Sequence, residues 1–375
     1  MRDRLERVPV RGADGAEERA WRVIEAAFAE RSPAHARHPR ALRAALALAV
    51  AAAGIAALAT PPGRAVVEHV REAVGVERAQ PALFSLPSSG RLLVSSDAGA
   101  WIVQPDGSRR LLGKYASATW SPHGLYVAAT RADELAALEP DGGVRWSLAR
   151  PAVLFPRWTG TPTDTRIAYF DRTGLRVVAG DGTGDRLIAP AATGPAAWRP
   201  GPRRELAYVS AREVRVQDAD SGRVVWRAGR GPAEAVNSLS WSTDGSRLLV
   251  LAPHALRVYD ARGRLVARDD PSDGAVDAAA AFIPGTRRIA VISVHGAQSD
   301  VFLLRSGRLL FRGTGVFEGL APSPDGRWLL VGWPTADQWV FIGTGSRRRI
   351  RAVSNVSGQF RSASFPRLEG WCCTK

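Results

Sequence analysis

Histidine is the side chain in this sequence best suited to acid–base or metal chemistry, and six histidines are present. Three of them fall within the repeated part of the chain described below, at His123, His254 and His295. Each occupies a different repeat, with no cysteine or paired carboxylate at metal-ligand spacing. We therefore predict no transition-metal site, unless the fold brings distant residues together.

Calcium binding is a second candidate chemistry, suggested by the segment GDGTGD at residues 180–185. Asp181 and Asp185 could offer oxygen ligands, but the segment is shorter than an EF-hand loop and lies at the tip of a predicted hairpin. A plain turn is the predicted structure. The pair Asp269-Asp270 also falls in a predicted loop, whereas acid–base catalysis needs two carboxylates that face one cleft with separated pKa values.

Common catalytic motifs are absent from the sequence, which has no Gly-x-Ser-x-Gly elbow, phosphate-binding loop or His-Glu-x-x-His helix. The repeats also leave no residues from which a hydrolase domain could be built. We predict that the protein is not an enzyme and has no catalytic, cofactor-binding or metal-binding residues.

The only two cysteines, Cys372 and Cys373, are adjacent and close to the C-terminus. Neighbouring cysteines bridge each other only through a strained ring, so no disulfide framework is predicted. An inert tail is expected here, with an intermolecular disulfide or a lipidated pair as the alternatives.

Arginine dominates the charge of the chain. Lysine and arginine total 51 against 36 for aspartate and glutamate, a net charge of +15, and only Lys114 and Lys375 are lysines. Nucleic acid is not the expected partner, because the arginines are scattered and do not form one basic helix or arm. Short clusters are predicted to be solvated loops: Arg203-Arg204, Arg287-Arg288 and Arg347-Arg348-Arg349.

The elements that carry these residues repeat with a period of roughly forty residues from Ala82 onward. Seven copies of an anchor residue, a turn and a short apolar run follow one another, with anchors at Leu86, Trp120, Trp158, Trp198, Trp241, Phe282 and Pro322. Each apolar run is followed by a second hairpin, usually with a glycine that supplies the positive φ of a tight turn. Every unit therefore supplies four short strands.

Four short strands make one blade of a β-propeller. We predict an all-β fold at residues 82–375, a seven-bladed propeller of four-stranded blades in which the anchor aromatics pack between blades and do not stack on a ligand. Residues 362–366 copy the strand that precedes each turn, with Phe365 in the aromatic position. They are predicted to form the innermost strand of the first blade, so that the ring has no open edge.

The register of aromatic, turn and strand resembles the TolB-like, WD-repeat-like propeller family over residues 82–366. It is clearest at Trp120-Ser-Pro-His-Gly and Trp241-Ser-Thr-Asp-Gly. The resemblance implies a rigid scaffold with its functional residues on connecting loops. Two segments, which end at Trp146 and Trp226, also resemble the tryptophan-docking repeat of quinoprotein-like propellers.

An uncharged stretch at residues 44–63 precedes the repeats. At about 1.5 Å per residue it can cross most of the hydrocarbon core of a membrane. We predict a cytoplasmic tail at 1–40, a transmembrane helix at 41–61 and a helical stalk at 62–81. Arginines before the span place the N-terminus inside and the propeller outside the cytoplasmic membrane. A buried alanine-rich helix and a cleaved signal peptide are the alternatives.

An amphipathic helix is predicted at residues 17–30, with Trp21, Ile24 and Phe28 on one face. A tail of this length cannot bury that face by itself. The face therefore lies on the membrane surface or binds a cytoplasmic partner.

These patterns together predict a non-enzymatic, membrane-anchored module for recognition or sensing that binds a protein partner. The short inner helix, single span and large outer domain resemble membrane-bound anti-sigma factors, which implies a sigma factor as the cytoplasmic partner. An exported quinoprotein-like enzyme and an envelope-assembly factor are the alternative functions.

Overall fold

Seven antiparallel sheets of four strands each make up the part of the chain that the structure describes. The structure is a computed structural model, and it describes residues 85–373 except 162–163, 191, 212, 230–234 and 272–273. The predicted tail, span and stalk, at residues 1–40, 41–61 and 62–81, lie outside the described residues and stay predictions. Within the described residues, no helix combines the length and apolar character needed to span a membrane.

Blade 1 combines the two ends of the described chain. From the innermost strand outward, it consists of β28 (Arg367–Cys372), β1 (Arg91–Ser96), β2 (Gly99–Val103) and β3 (Arg109–Gly113). The other blades each use four consecutive strands. Blades 2 and 3 comprise β4 (Ser117–Trp120), β5 (Val127–Arg131), β6 (Glu134–Leu138), β7 (Val144–Ala149), β8 (Leu154–Thr161), β9 (Asp164–Asp171), β10 (Gly174–Ala179) and β11 (Arg186–Ala189).

Blades 4 to 7 follow in the same order. Blades 4 and 5 comprise β12 (Ala192–Trp198), β13 (Glu205–Ser210), β14 (Glu213–Asp218), β15 (Val224–Gly229), β16 (Ser238–Trp241), β17 (Arg247–Ala252), β18 (Ala255–Asp260) and β19 (Leu265–Asp269). Blades 6 and 7 comprise β20 (Val276–Phe282), β21 (Ile289–His295), β22 (Gln298–Leu303), β23 (Arg308–Thr314), β24 (Glu318–Pro322), β25 (Trp328–Trp333), β26 (Gln338–Gly343) and β27 (Ile350–Ser354). A 3-10 turn (Pro334–Ala336) and a short helix, α1 (Val356–Gln359), lie in blade 7 and after it.

The second strand of each blade is an almost continuous apolar run. β17, with the sequence RLLVLA, is buried at every position after its first. Both faces of this strand are covered by neighbouring blades, so the strand does not alternate between apolar and polar residues. The outermost strands differ, since β7 exposes or half-exposes all of its residues. Burial therefore decreases from the second strand to the edge of a blade.

The blades close into a ring. The innermost strands β28, β4, β8, β12, β16, β20 and β24 each contact the next one, and β24 contacts β28. Each of the seven blade interfaces holds one cluster of buried hydrophobic side chains. The prediction of a seven-bladed propeller of four-stranded blades is confirmed. The smallest cluster lies between blades 2 and 3.

The anchor aromatics end the innermost strands, as the repeat register predicts. Trp120 lies opposite Val127 in the β4–β5 register, and Trp241 lies opposite Leu248 in the β16–β17 register. Trp120, Trp198 and Trp241 are 8%, 7% and 8% exposed. For these tryptophans the predicted packing role between blades is confirmed.

Closure by a C-terminal strand is confirmed, but the predicted residues, 362–366, are wrong. The closing strand is β28, and Trp371 takes the aromatic position in place of Phe365. Trp371 lies opposite Leu92, and its indole N–H donates to the carbonyl of Ser89 at 3.1 Å. The turn of this blade lies near the start of the described chain, so the anchor that packs on it comes from the closing strand, where Trp371 is the last residue but one. Phe365 instead packs against the core between blades 7 and 1.

Cys372 is the last residue of β28, and it is bonded to Cys373. A Cβ at Gly124, in the first turn of blade 2, would lie 3.0 Å from the sulfur of Cys373. Cys372 therefore lies in a strand and not in a tail, and the expected inertness of the cysteine pair stays a prediction. The cysteines belong to the closing strand and its contact with blade 2.

Candidate functional site

The fold brings two of the three repeat histidines near one buried carboxylate. His254 and His295 lie close enough to Asp277 of β20 to act on its pKa, whereas His123 lies in a turn of blade 2. Asp277 is 1% exposed, and neither carboxylate oxygen has a hydrogen-bond partner in the described structure. Burial raises its pKa to about 6, and the Ser293 hydroxyl and the histidines offset only part of this rise. Asp277 can therefore exchange a proton near neutral pH.

No group of three His, Cys, Asp or Glu side chains among the described residues could hold a metal ion. Asp277, His254 and His295 therefore lie near one another but do not form a set of metal ligands in the described structure. Sequence reasoning missed Asp277, and the one available signal was a carboxylate within the apolar strand VDAAAAF.

Asp185, a candidate calcium ligand in the sequence, is already satisfied by protein donors. Its carboxylate accepts hydrogen bonds from Arg150 Nη2 at 2.6 Å, Arg176 Nη2 at 2.8 Å and the Tyr169 hydroxyl at 2.7 Å. Burial on its own would raise the pKa of Asp185, but the bonds from Arg176, Tyr169 and Arg150 outweigh burial and hold the pKa below its ordinary value. This network ties the outer strands of blade 3 together.

The other carboxylates considered in the sequence also have structural partners. Asp181 accepts the amide and hydroxyl hydrogens of Thr183 at 3.0 and 2.7 Å, so the predicted plain turn is confirmed. Asp269 ends β19, and Asp270 forms an ion pair with Arg257. Neither Asp181 with Asp185 nor Asp269 with Asp270 presents two carboxylates to a common cleft.

An aromatic groove of about 590 Å³ opens between blades 2 and 3. Three aromatic rings, two carboxylates and one guanidinium line it, and we call it the blade 2–3 groove. Its side chains include Tyr126, Glu139, Val144, Arg145, Trp146, Trp158 and Asp181. The groove coincides with the blade interface that has the smallest buried cluster.

The aromatic rings of the groove are held by stacking. Tyr126, from the first turn of blade 2, stacks on Trp158 of β8 with 6.2 Å between ring centroids and 18° between planes. The guanidinium of Arg145 lies 5.5 Å from the Tyr126 ring, and it pairs with Glu139 at 3.3 Å. One wall of the groove is therefore a preformed stack with a charged rim.

Trp146 also lines the groove, and it packs on the next blade. Its indole N–H donates to the carbonyl of Gly180 at 2.8 Å, and a Cβ at Gly182 would lie 2.9 Å from the indole ring. Trp226 packs on Gly263 in the same way, with a Cβ distance of 2.8 Å. In both blades where the sequence resembles a tryptophan-docking repeat, the tryptophan lies against a turn glycine of the following blade.

Trp158 differs from the other anchor tryptophans because its ring is only half-buried. Arg91 covers Trp120 at 4.7 Å from the ring centroid, and Arg199 covers Trp241 at 5.3 Å. In the described structure no arginine covers Trp158, and no acceptor fixes its indole N–H. Trp158 still packs against the hydrophobic cluster between blades 2 and 3, as predicted, and the exposed part of its ring lines the groove, where it can stack on a ligand.

The geometry is suited to binding an apolar or flat side chain. The groove offers aromatic faces and a polar rim, and its two carboxylates differ in role, because Glu139 pairs with Arg145 and Asp181 with Thr183. The aromatic faces give contact area to a bound side chain, and the polar rim fixes the orientation of that side chain.

Solved structures of low sequence identity share this architecture. The C-terminal WD40 domain of Sif2 matches with a TM-score of 0.53 and 12% identity, over 80% of this chain and 88% of that one. A chain of the mitotic checkpoint complex matches with a TM-score of 0.52 and 15% identity, over 68% of this chain and 81% of that one. The chain has the seven-bladed β-propeller fold, and its fold is similar to that of the Sif2 WD40 domain.

No protein-family model matches the chain, and no curated protein sequence matches it. The assignment of the propeller fold thus rests on the seven blades and on structural similarity. The TolB-like part of the predicted resemblance stays a prediction. Trp21, Ile24 and Phe28, the predicted partner-binding face, lie outside the described residues, and their role is not tested.

Proposed function

We propose that this propeller is a non-enzymatic protein-interaction module that binds an extended segment of a partner in the blade 2–3 groove. The observation that carries the proposal is the half-buried ring of Trp158, which stacks on Tyr126 and lines the groove together with Trp146. Recognition by propellers is expected on the loops and edges of a rigid scaffold, which is where this groove lies.

The walls of the groove favour a partner with proline. Proline presents a flat apolar face on a backbone that loses little entropy on binding, and aromatic-lined grooves recognise it for that reason. Val144, 59% exposed at the start of β7, adds an apolar contact. Glu139 and Arg145 at the rim favour polar residues on either side of the proline and set orientation more than affinity.

Binding of short synthetic proline-containing peptides to the full-length protein tests this proposal. Val144→Glu places a charge at the apolar edge and should weaken binding about tenfold or more, which is about 1.4 kcal/mol. Leu265→Glu is the matched control, because Leu265 begins β19 of blade 5 as Val144 begins β7, is 49% exposed and lies outside the groove. Equal binding by both variants, or equal binding of peptides without proline, would reject the proposal.

We propose further that the predicted helix at 41–61 anchors the propeller outside the cytoplasmic membrane, so that the groove samples envelope proteins. The inner face of Trp21, Ile24 and Phe28 would then bind a cytoplasmic regulator such as a sigma factor. Alkaline phosphatase fused after residue 81 should be active and phosphatase fused after residue 40 inactive. Co-precipitation of a sigma factor should be lost with Trp21→Ala plus Phe28→Ala, and its persistence would refute the coupling.

The second candidate function is that of an exported quinoprotein-like enzyme, which the tryptophan packing at Gly182 and Gly263 favours. Protein purified from its native host would then carry a chromophore that absorbs visible light. A colourless protein that still binds peptide supports the interaction module. An envelope-assembly factor would keep its role after removal of residues 1–40, whereas a transmembrane sensor would not.

A further inference from the structure

A hairpin turn in blade 7 carries three consecutive arginines. The turn joins β26 to β27 and includes Arg347, Arg348 and Arg349, all exposed. Arg308, at the start of β23 in blade 6, and Arg327, in the first turn of blade 7, line the same surface. We call these five residues the arginine cradle. The sequence predicts a solvated loop for the triplet, and the fold adds two arginines from other elements.

The backbone of the arginine cradle is already ordered. Thr344, 3% exposed, accepts at its carbonyl from Arg288 Nη1 at 3.0 Å and from Arg308 Nη2 at 2.8 Å. Its hydroxyl donates to the carbonyl of Gly326 at 2.7 Å, and its amide donates to the carbonyl of Arg327 at 3.0 Å. A ligand therefore meets a preformed turn, and binding need not order the backbone.

Carboxylates compensate little of the positive charge of the cradle. Two adjoining cavities of about 260 and 310 Å³ meet at the cradle, and no Asp or Glu lines either. Four of the five arginines have no carboxylate within salt-bridge distance in the described part of the chain, and Arg327 has only Asp325 at 3.8 Å. The Nε of Arg308 is buried and has no acceptor there. Like charges repel and a buried N–H without an acceptor is unfavourable, so an anion would stabilise the site.

We propose that the arginine cradle binds a compact ligand with several phosphate groups, an oligophosphate. The guanidinium fork matches two phosphate oxygens at once, which gives charge-assisted and directional hydrogen bonds. The two cavities share Arg349 and the backbone of residues 343, 345 and 346, so they suit two anionic groups joined within one ligand. Free oligophosphate and the headgroup of a phospholipid with two linked phosphates, such as cardiolipin, share this chemistry.

Nucleic acid is a poorer match to the same surface. A nucleic-acid backbone needs a continuous basic track along many phosphates. Next to the cradle, Arg312 is paired with Asp300 at 2.6 Å, and in blade 4 Arg199 is paired with Glu205 at 2.6 Å. The basic surface is therefore interrupted by paired arginines and does not extend from the cradle as a continuous track.

Isothermal titration calorimetry of the full-length protein with sodium tripolyphosphate tests the proposal. Arg348→Ser plus Arg349→Ser should weaken binding about tenfold or more, because it removes two charge-assisted contacts. The matched control is Arg262→Ser plus Arg264→Ser, which removes the same charge from the corresponding exposed turn of blade 5. The control should bind within about twofold of the natural protein, and both variants should keep its thermal midpoint.

Two further arms identify the source of the phosphate. Flotation with vesicles that contain cardiolipin, compared with phosphatidylcholine vesicles, reports headgroup binding. The lipid is assigned if the natural protein floats with cardiolipin vesicles and does not bind tripolyphosphate, and if the cradle variant no longer floats. Equal weakening by the two double variants would show a general charge effect and overturn the proposal. The proposal would also be overturned if duplex DNA bound more tightly than tripolyphosphate and if this DNA binding required the same arginines. These outcomes are independent of peptide binding at the blade 2–3 groove.

Discussion

The indole N–H of Trp371 donates to the carbonyl oxygen of Ser89 at 3.1 Å, across a separation of 282 residues. This bond joins the closing strand to the turn of the blade that it completes. In other blades the tryptophan and its turn are neighbours in sequence, whereas blade 1 divides the same unit between the two ends of the described chain.

Replacement of Trp371 should therefore open the ring at its closure. Trp371→Ala removes an 8% exposed indole and is expected to lower the free energy of unfolding by about 3–5 kcal/mol. Phe365→Ala is the informative comparison, because Phe365 is only half-buried and lies outside β28. Urea titration of the two variants should give the larger loss for Trp371. A larger loss for Phe365 would contradict the observed register.

The glycine beneath Trp146 should be intolerant of a side chain. Gly182 has a φ of +88°, and a Cβ there would lie 2.9 Å from the indole. Gly182→Ala should destabilise the protein by about 2–3 kcal/mol, from backbone strain and displacement of the ring. Gly285→Ala is the control for strain alone, since Gly285 has a φ of +71° and open space around it, and should cost about 1 kcal/mol.

A double-mutant cycle separates the ring contact from the strain. In a Trp146→Ala background, the cost of Gly182→Ala should fall toward that of Gly285→Ala, because the displaced ring is gone. If the losses in the free energy of unfolding from Trp146→Ala and Gly182→Ala simply add in the double variant, the indole does not constrain this turn.

Asp277 should make the protein less stable as pH rises. Its pKa is about 6 in the fold against an ordinary 3.8, so the folded state binds the extra proton between these values, and this stabilisation is lost as pH rises through 6. Ser293, His254, His295 and Asp269 are the groups that act on it. Asp277→Asn should raise the free energy of unfolding at pH 7.5 by up to about 3 kcal/mol, and by little at pH 4. A gain that does not vary with pH would contradict this assignment.

Asp185 should show the opposite pH dependence. Its pKa is held below 3.8, so the stability from its charged form is present above that value and is lost as pH falls through the folded pKa. Asp185→Asn should cost about 2–4 kcal/mol at pH 7, because Arg150 and Arg176 lose their partner. The cost should shrink in acid, measured by urea titration at several pH values. Calcium should leave the thermal midpoint of the natural protein unchanged, since protein donors fill the carboxylate.

The fold was predictable because each blade repeats the same local signals. An aromatic, a glycine turn and an apolar run recur in one order, and strands such as β17 bury both faces. The closing strand was harder to place, because Phe365 and Trp371 both suit the aromatic position. Only pairing with Leu92, far away in sequence, decides between them.

The candidate sites depend on neighbours that a repeat pattern does not reveal. Trp158 has the same sequence role as Trp241, yet the neighbouring blade places Tyr126 beside one and Arg199 over the other. Likewise, Arg308 meets the arginine triplet of blade 7 only after the blades close. Local residue types predict the scaffold, whereas exposure and uncompensated charge arise at the interfaces between blades.

The divided first blade has a consequence for biosynthesis. While the ribosome is still elongating the chain, blades 2 to 7 can form in order, but the three earlier strands of blade 1 must wait with an open edge until residues 367–372 emerge. A nascent chain therefore exposes an unpaired sheet edge from the time β1 to β3 have formed until residues 367–372 emerge, and such an edge can pair with another chain.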